Sequence, residues 1–526
     1  MPKVLISDAL SDTAVAIFRD RGVEVDYMPD LGKDKEKLLS IIGKYDGLAV
    51  RSATKATAPV IKAGARLKVI GRAGIGVDNV DIPAATAQGV VVMNTPYGNA
   101  ITTAEHAIAM MFALARQLPV ANASTHAGKW EKNRFMGVEL FGKTLGVIGC
   151  GNIGSIVADR AVGLKMRVVA YDPFLTEARA VELGVEKVDL NDLLARADII
   201  TLHTPLTEQT KNVLSRDNLA RTKKGVYIVN CARGGLVDEE ALKDALDSGH
   251  VAGAGVDVFA VEPATSHPLF GHEKVVATPH LGASTREAQE NVAIQIAEQM
   301  ADYLLRGAVT NALNMPSITA EEAPRLRPFI KLAENLGLFA GQLTETSVKA
   351  IEIVYAGGVA KLNTKPLTAA AVAGVLKPML AEVNIVNAPM VAKERGVVIA
   401  ETYRDDADSF ESVIRLRIVT ERQDRAVVGA LFGATPRIVE IKGVEMEAGF
   451  SPNMLYVTNE DKPGFIGALG ATLGEAGVNI ATFNLGRSAP GADAIALVAV
   501  DEPVNDAVIA KVRALPHVRQ AKTLRF

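Results

Sequence analysis

Over the first part of the chain, short apolar runs alternate with stretches whose apolar positions recur at helical spacing. The runs at 4–6, 23–25, 47–50, 69–70 and 90–92 are too short for helices and read as strands. Helices are predicted at 12–20 and 35–44. Strands separated by helices imply a parallel sheet. Asn94-Thr95-Pro96-Tyr97-Gly98 breaks the pattern, and a helix of about twenty residues follows, capped at Thr102 or Thr103. The rhythm then resumes with strands at 143–148, 166–171, 199–202, 226–229, 253–256 and 275–277. This second α/β unit is inserted into the first. An amphipathic helix at 285–305 leads the chain back to the first unit.

Pro316 and the acidic pair Glu321-Glu322 mark a boundary, after which the pattern changes. Stretches 349–355 and 412–420 alternate like strands, with a helix at 368–380 between them. From 453 the order strand, helix, strand, strand, helix, strand is that of a ferredoxin-like unit. The expected architecture is therefore α/β throughout. It has a first domain at 1–97 and 285–315 and a Rossmann-type nucleotide domain at 98–284. A mixed α/β domain follows at 316–451, with a βαββαβ domain at 452–526. The sequence of the third domain declares no task.

A length of 526 residues suits three or four domains. A net charge of −3 with no long basic run excludes a broad electrostatic surface for nucleic acid or anionic membrane. An anionic ligand must then be held by a few local arginines. The two cysteines, Cys150 and Cys231, lie beside predicted strands and outside any Cys/His cluster, which disfavours a metal site or disulfide framework. Reduced thiols and an N-terminus without a secretory pattern fit the cytoplasm. No apolar run is long enough to span a membrane.

The chemistry concentrates at Gly149-Cys150-Gly151-Asn152-Ile153-Gly154. This GxGxxG sits between a predicted strand and a helix, and Asp172 ends the next strand 18 residues after Gly154. That is the context of a dinucleotide-binding turn. Gly149 permits the turn, Gly151 lets backbone approach a pyrophosphate, and Gly154 lets helix and strand close up. The free N–H groups of the helix start face the phosphates. Asp172 would bond a ribose diol and repel a 2′-phosphate, so NAD is expected over NADP. Hydride transfer from an alcohol also needs a base, a carboxylate to orient it, and a cation for the substrate. Arg233, Glu262 and His280 each follow a predicted strand, where open α/β sheets bind ligands. Taken singly, each also fits an ordinary loop residue.

Together, Gly149–Gly154 with Tyr171-Asp172-Pro173, Asn230-Cys231-Ala232-Arg233-Gly234-Gly235, Asp257-Val258-Phe259 with Glu262-Pro263, and Pro279-His280-Leu281-Gly282 resemble the D-isomer-specific 2-hydroxyacid dehydrogenase family. The resemblance covers residues 1 to about 315. It implies that Arg233 binds the substrate carboxylate, His280 is the acid/base and Glu262 its partner. It implies NAD contacts from Ile75, Gly149, Gly151, Asn152, Ile153, Gly154, Asp172, Thr204, Cys231, Ala232, Arg233, Asp257, His280, Leu281, Gly282 and Ala283. The Gly-rich loop carries Ile75 where relatives may have a hydroxyl residue, so contacts there must come from backbone N–H groups.

The segments Val50-Arg51-Ser52, Gly71–Asp81 and Gly128-Lys129-Trp130-Glu131 resemble members of the family that oxidise 3-phosphoglycerate, the entry to serine synthesis. A phosphorylated hydroxy acid needs further cations. Arg51, Ser52, Arg72, Gly74, Arg233 and His280 are the expected substrate residues. Lys132 and Arg134 join them if their segment reaches a neighbouring subunit, and are otherwise a solvated loop. Residues 317–450 resemble the intervening regulatory domain of those members, and residues 453–526 resemble an ACT domain, a module that commonly binds amino acids at a subunit interface. Asn459, Asp461 and Asn479 are its candidate effector groups, with serine the expected ligand; all three are also good turn formers. A homo-oligomer, dimer or tetramer, is implied. The other readings are a different D-2-hydroxyacid substrate, or an NAD-sensing binding protein without turnover.

Overall fold

The computed structural model describes residues 1–407 and 409–526. The first sheet contains β1 (Lys3–Ile6), β2 (Glu24–Tyr27), β3 (Gly47–Val50), β4 (Val69–Arg72) and β5 (Val91–Asn94), all parallel, in the order β2-β1-β3-β4-β5. Its central strands are apolar on both faces because helices cover both. One covering helix is Arg286–Arg306, which arrives from far along the chain and lies on this sheet. Gly71 makes room for it: a Cβ there would stand 2.3 Å from Met300 Sδ.

The second sheet is also parallel. It comprises β6 (Thr144–Ile148), β7 (Arg167–Tyr171), β8 (Glu186–Lys187), β9 (Ile199–Leu202), β10 (Val226–Asn230), β11 (Val251–Val256) and β12 (Val275–Ala277), in the order β12-β11-β10-β9-β6-β7-β8. The chain steps from β6 to β7 on one side and later to β9 on the other. That reversal opens a crevice at the carboxyl ends of the strands. The helix entering this unit differs from expectation in two ways. It begins at Ala100, after Asn99, and Thr103 bonds back to the Asn99 carbonyl from inside the first turn. It also ends at Ala115. Gln117 adopts a left-handed conformation, and Leu118–His126 starts afresh with Pro119 in its first turn.

The third sheet has six strands where the sequence pattern suggested two. They are β13 (Val348–Gly357), β14 (Val398–Arg404), β15 (Ser412–Thr420), β16 (Asp424–Phe432), β17 (Thr435–Ile441) and β18 (Val444–Gly449), in the order β14-β13-β15-β16-β17-β18. Only the β13–β14 pair is parallel. The expected helix at 368–380 runs instead from Lys365 to Leu376, with Pro366 in its first turn. It is buried all round because Ala323–Gln342 lies tightly against it; a Cβ on Gly337 would meet the Ala371 carbonyl at 2.3 Å.

The last sheet, β19 (Asn453–Glu460), β20 (Ile480–Arg487), β21 (Asp493–Val500) and β22 (Val518–Arg525), is antiparallel in the order β20-β21-β19-β22. Alternate residues of β19 serve two cores. Leu455 and Val457 face the helices Phe465–Glu475 and Asp506–Arg513, while Met454 and Tyr456 join the core of the third domain. Tyr456 meets Phe339 edge-on with ring centroids 5.9 Å apart.

Candidate active site

The dinucleotide turn lies at the crevice of the second sheet. Gly149 has φ 89°, and a Cβ on it would strike Thr204 Cγ2 at 2.5 Å. A Cβ on Gly154 would lie 2.0 Å from the Gly149 carbonyl oxygen, so only glycine lets the helix Asn152–Gly163 approach so closely. At Gly151 the same position is open space. No side chain caps this helix, which leaves its first N–H groups to an incoming anion. Asp172 is anchored at the tip of β7: its carboxylate accepts from the Cys150 N–H at 2.8 Å and the Phe174 N–H at 2.8 Å. Thr204 Oγ1 is buried here with no partner among the described residues. A glycine cradle, an uncapped helix start, an orphaned hydroxyl and an acid at the strand end fit NAD. Asn152 bridges towards the first domain through the Pro96 carbonyl at 3.4 Å.

The same domain carries a histidine–glutamate pair. His280 Nδ1 lies 2.7 Å from Glu262 Oε2, and Glu262 Oε1 accepts from the Phe259 N–H at 3.0 Å. The carboxylate therefore fixes Nδ1 as the protonated nitrogen and leaves Nε2 free to take a proton. His280 holds a left-handed φ of 56°, which turns its ring outward; the ring is about half exposed. The turn is built on Asp257. That carboxylate, 0% exposed, accepts from the N–H groups of Leu281 and Gly282 and from the Thr278 hydroxyl, and His106 Nε2 lies 3.3 Å away. His106, Cys231 and Asp257 converge within 4.8 Å, but the Asp257 oxygens already serve these donors. Cys231 is buried, and burial followed by the Asp257 charge pushes its thiol up.

Three guanidiniums lie close enough to act on one another. Arg72 ends β4, and burial, then Arg233, then Arg51 pull it down to about 10. Its Nε is buried with no partner among the described residues. Burial likewise lowers Arg51, which the enclosed Asp8 partly offsets. Asp8 also accepts the Arg51 N–H at 2.6 Å and so shapes this loop, while Ser52 is exposed beside it. Arg233 Nε donates to Asp78 at 3.0 Å, an ion pair joining the two domains. Gly74 and Gly76 admit these side chains: Cβ atoms there would overlap Arg72 Nη1 and Arg233 Nη2 at 1.5 and 1.6 Å. The Gly74 N–H bonds Thr95, and the Ile75 carbonyl accepts from Asn94. The N–H groups of Ile75, Gly76 and Val77 donate to no group among the described residues. Packed cations with an orphaned donor and free amides form a seat for an anion.

Other expected residues are not drawn in. Arg134 pairs with Glu131 and Glu273, and Lys132 is exposed beside it, away from this cluster. In the last domain, Asn459 and Asp461 lie at the far end of β19, whereas Asn479 precedes β20 at the opposite end, bonded to Asp501 at 2.5 Å. One copy of the chain therefore does not bring the three together. Asp461 accepts from Arg487 and the Gly491 N–H; Asn459 Oδ1 is buried with no partner among the described residues.

Residues 108–282 match the NAD-binding domain of the D-isomer specific 2-hydroxyacid dehydrogenases. Residues 325–442 match the D-3-phosphoglycerate dehydrogenase intervening domain, and 453–517 the ACT domain. Over its whole length the chain is 42% identical to D-3-phosphoglycerate dehydrogenase of Synechocystis sp., covering 95% of that relative. It is 41% identical to the same enzyme of Methanocaldococcus jannaschii, with all of both chains covered. The chain belongs to the D-3-phosphoglycerate dehydrogenase family. Among solved structures it is similar to a Thermus thermophilus protein at 36% identity and TM-score 0.55, covering 59% of this chain and 99% of that one. It is also similar to Escherichia coli D-lactate dehydrogenase at 29% and 0.52, covering 60% and 100%. These two neighbours leave about two-fifths of the chain, a phosphoglycerate dehydrogenase tail, unmatched.

Sequence reasoning missed Asp8, Asp78 and the supporting role of Asp257. Their partners lie 43, 155 and 24 residues away, and no local pattern announces a carboxylate aimed at distant backbone. Asp257 was legible as a residue next to a strand, but its enclosure was not.

Proposed function

We propose that this chain oxidises 3-phospho-D-glycerate to 3-phosphohydroxypyruvate with NAD, the reaction that opens L-serine synthesis. The observations that carry this are the hydrogen-bonded His280–Glu262 pair and an Arg72 guanidinium repelled by Arg233 and Arg51. The substrate carboxylate takes the Arg233 guanidinium, displacing Asp78. The phosphate lies against Arg51, Arg72 and the free amides after Gly74, which relieves the repulsion among the cations. The C2 hydroxyl then points at His280 Nε2, which accepts its proton as the C2 hydride departs and the ketone forms. Glu262 stabilises the imidazolium so produced. NAD, when bound, supplies the hydride acceptor. In the reverse direction His280 returns the proton to the carbonyl oxygen.

NADH absorbance checks the reading directly. Turnover on 3-phosphoglycerate should exceed that on unphosphorylated D-glycerate by at least about a hundredfold, since a charged group left unpaired among buried cations is costly. Equal turnover on both points to another 2-hydroxy acid. No NADH with any hydroxy acid points to a binding protein.

The ACT domain supports an amino-acid effector, with serine the first to test. The buried Asn459 Oδ1 and Asp461 suit a ligand ammonium, and Asn479 a carboxylate. Because they stand at opposite ends of the sheet, a complete site needs two copies side by side. A homo-oligomer is further supported by the exposed apolar groups Trp130, Met136 and Phe141, at 88, 79 and 72% exposure. Lys132 and Arg134 belong to the same segment and would serve a neighbour's cleft. No helix among the described residues is long and apolar enough to cross a membrane.

A further inference from the structure

A second histidine–carboxylate pair packs against the loop that carries Glu262. His267 follows that loop without belonging to a helix or strand, yet its side chain is only 8% exposed. The Phe259 ring stands edge-on to it at 5.0 Å, and Phe270 lies at 5.4 Å. His267 Nε2 lies 2.8 Å from Glu239 Oε2, and its Nδ1 accepts from the Leu269 N–H at 3.3 Å. The Leu269 contact settles the tautomer: Nδ1 bears the lone pair, so Nε2 carries the proton and donates it to the carboxylate. The other oxygen, Glu239 Oε1, accepts from the Ala260 N–H at 2.9 Å. The preceding N–H, that of Phe259, is the one that donates to Glu262. Successive amides of one loop thus bind two carboxylates, one from within the loop and one from the helix Glu239–Asp247. The loop also lies hard against the segment after Arg233: a Cβ on Gly234 would stand 1.9 Å from the Phe259 carbonyl oxygen.

The helix does not need Glu239 for its own start, because Asp238 caps it by accepting from the Ala241 N–H. Both Glu239 oxygens are engaged outside the helix. The loop they hold bears on the acid/base geometry. Glu262 reaches His280 Nδ1 at 2.7 Å, and misplacing such a contact by about 1 Å can cost about a hundredfold in rate. We propose that His267 and Glu239 are positioning residues for the oxidation, fixing the Ala260 amide so that Glu262 stays on His280. This rests on the reading of His280 and Glu262 as the base and its partner. His267 locks the Glu239 carboxylate in one orientation, Glu239 holds the loop, and the loop sets Glu262. Neither member of the second pair is a catalytic residue, since each acts through Glu262.

The test measures kcat on 3-phosphoglycerate by NADH absorbance in the full chain. Glu239→Gln keeps the shape of the side chain. While its oxygen stays on the Ala260 N–H, its amide nitrogen meets the His267 Nε2–H donor to donor, so one of the two bonds is lost. Its kcat should fall by about tenfold or more, with KM for NAD unchanged because the glycine turn is untouched. This loss must pass through Glu262. In a Glu262→Gln background, adding Glu239→Gln should therefore change kcat by less than about twofold. A merely structural loss would multiply through both backgrounds. His267→Leu should lower kcat in the same way, and His267→Gln, whose Nε2–H reaches the same carboxylate, should restore most of it. Should Glu239→Gln fail to fold, the His267 variants complete the same cycle with Glu262→Gln. The proposal is overturned if Glu239→Gln leaves kcat within about twofold of wild type, if its loss is equal in both backgrounds, or if His267→Gln is no better than His267→Leu. Glu262→Gln alone reads the assignment beneath it. If that change does not lower kcat, the catalytic pair is misassigned and this inference falls with it. A fall with Glu262→Gln and none with Glu239→Gln removes the positioning pair alone.

Discussion

At the residue scale, the proposed reaction gives two side chains separable tasks. His280→Asn removes the nitrogen that receives the proton while leaving the glycine turn intact. Its kcat should fall by about 10²–10⁴-fold, with NADH affinity, read by fluorescence, close to wild type. Retention of more than about a tenth of kcat would remove His280 from this role. Arg72 makes a different prediction. Held down to about 10 by burial and by its neighbours, it loses its charge in the free enzyme as pH rises through that value. Bound phosphate stabilises the charged form, so KM for phosphoglycerate should climb over that range. Arg72→Met should begin with a high KM and lack the step. The proposed acid/base pair could be picked out because each member sits one loop beyond an apolar strand. The carboxylates that set their posture were not: Asp257 and Asp8 act through backbone N–H groups that only the fold brings near.

At the scale of elements, glycine spacing is read most sharply at the dinucleotide turn. Gly154→Ala drives a methyl to 2.0 Å from the Gly149 carbonyl, so the helix must shift from β6. We expect a loss of about 1–3 kcal/mol of stability together with weakened NAD binding. Gly151→Ala meets open space in the free protein. It should leave the thermal midpoint unchanged and weaken NAD alone, because the methyl occupies the path of the pyrophosphate. Equal effects of both changes on stability would contradict this division. The parallel sheets were legible as short apolar runs because they are buried on both faces. In the third sheet, Arg437 and Glu440 in β17 and Glu445 and Glu447 in β18 interrupt the apolar pattern, and strands of that kind blur into loop composition. The helix Lys365–Leu376 was misplaced for the opposite reason: it is apolar all round, so no stripe marks its ends.

At the scale of the molecule, every group proposed for catalysis lies before residue 284, which suggests that the ACT domain can be removed cleanly. The packing says otherwise. Met454, Tyr456, Leu497 and Leu524 share a core with Leu336 and Phe339, and Gln342 exchanges two hydrogen bonds with the backbone of Arg525. Deleting 453–526 strips the cover from that apolar face. The truncated enzyme should still reduce NAD at high dilution, but with a lower thermal midpoint, raised binding of a hydrophobic dye and concentration-dependent aggregation. Loss of serine response in such a chain would not locate the effector. Asp461→Ala is the cleaner probe. The Asp461 carboxylate accepts from Arg487 and the Gly491 N–H at the surface, where such a pair adds little to stability, so its removal should leave the fold intact. A ligand there alters turnover only through unequal affinity for two arrangements of the subunits. Asp461→Ala should therefore shift the serine concentration for half-inhibition upward by at least about tenfold, with uninhibited kcat and thermal midpoint unchanged. Inhibition at the wild-type concentration would place the effector elsewhere, even if the truncated chain had lost it.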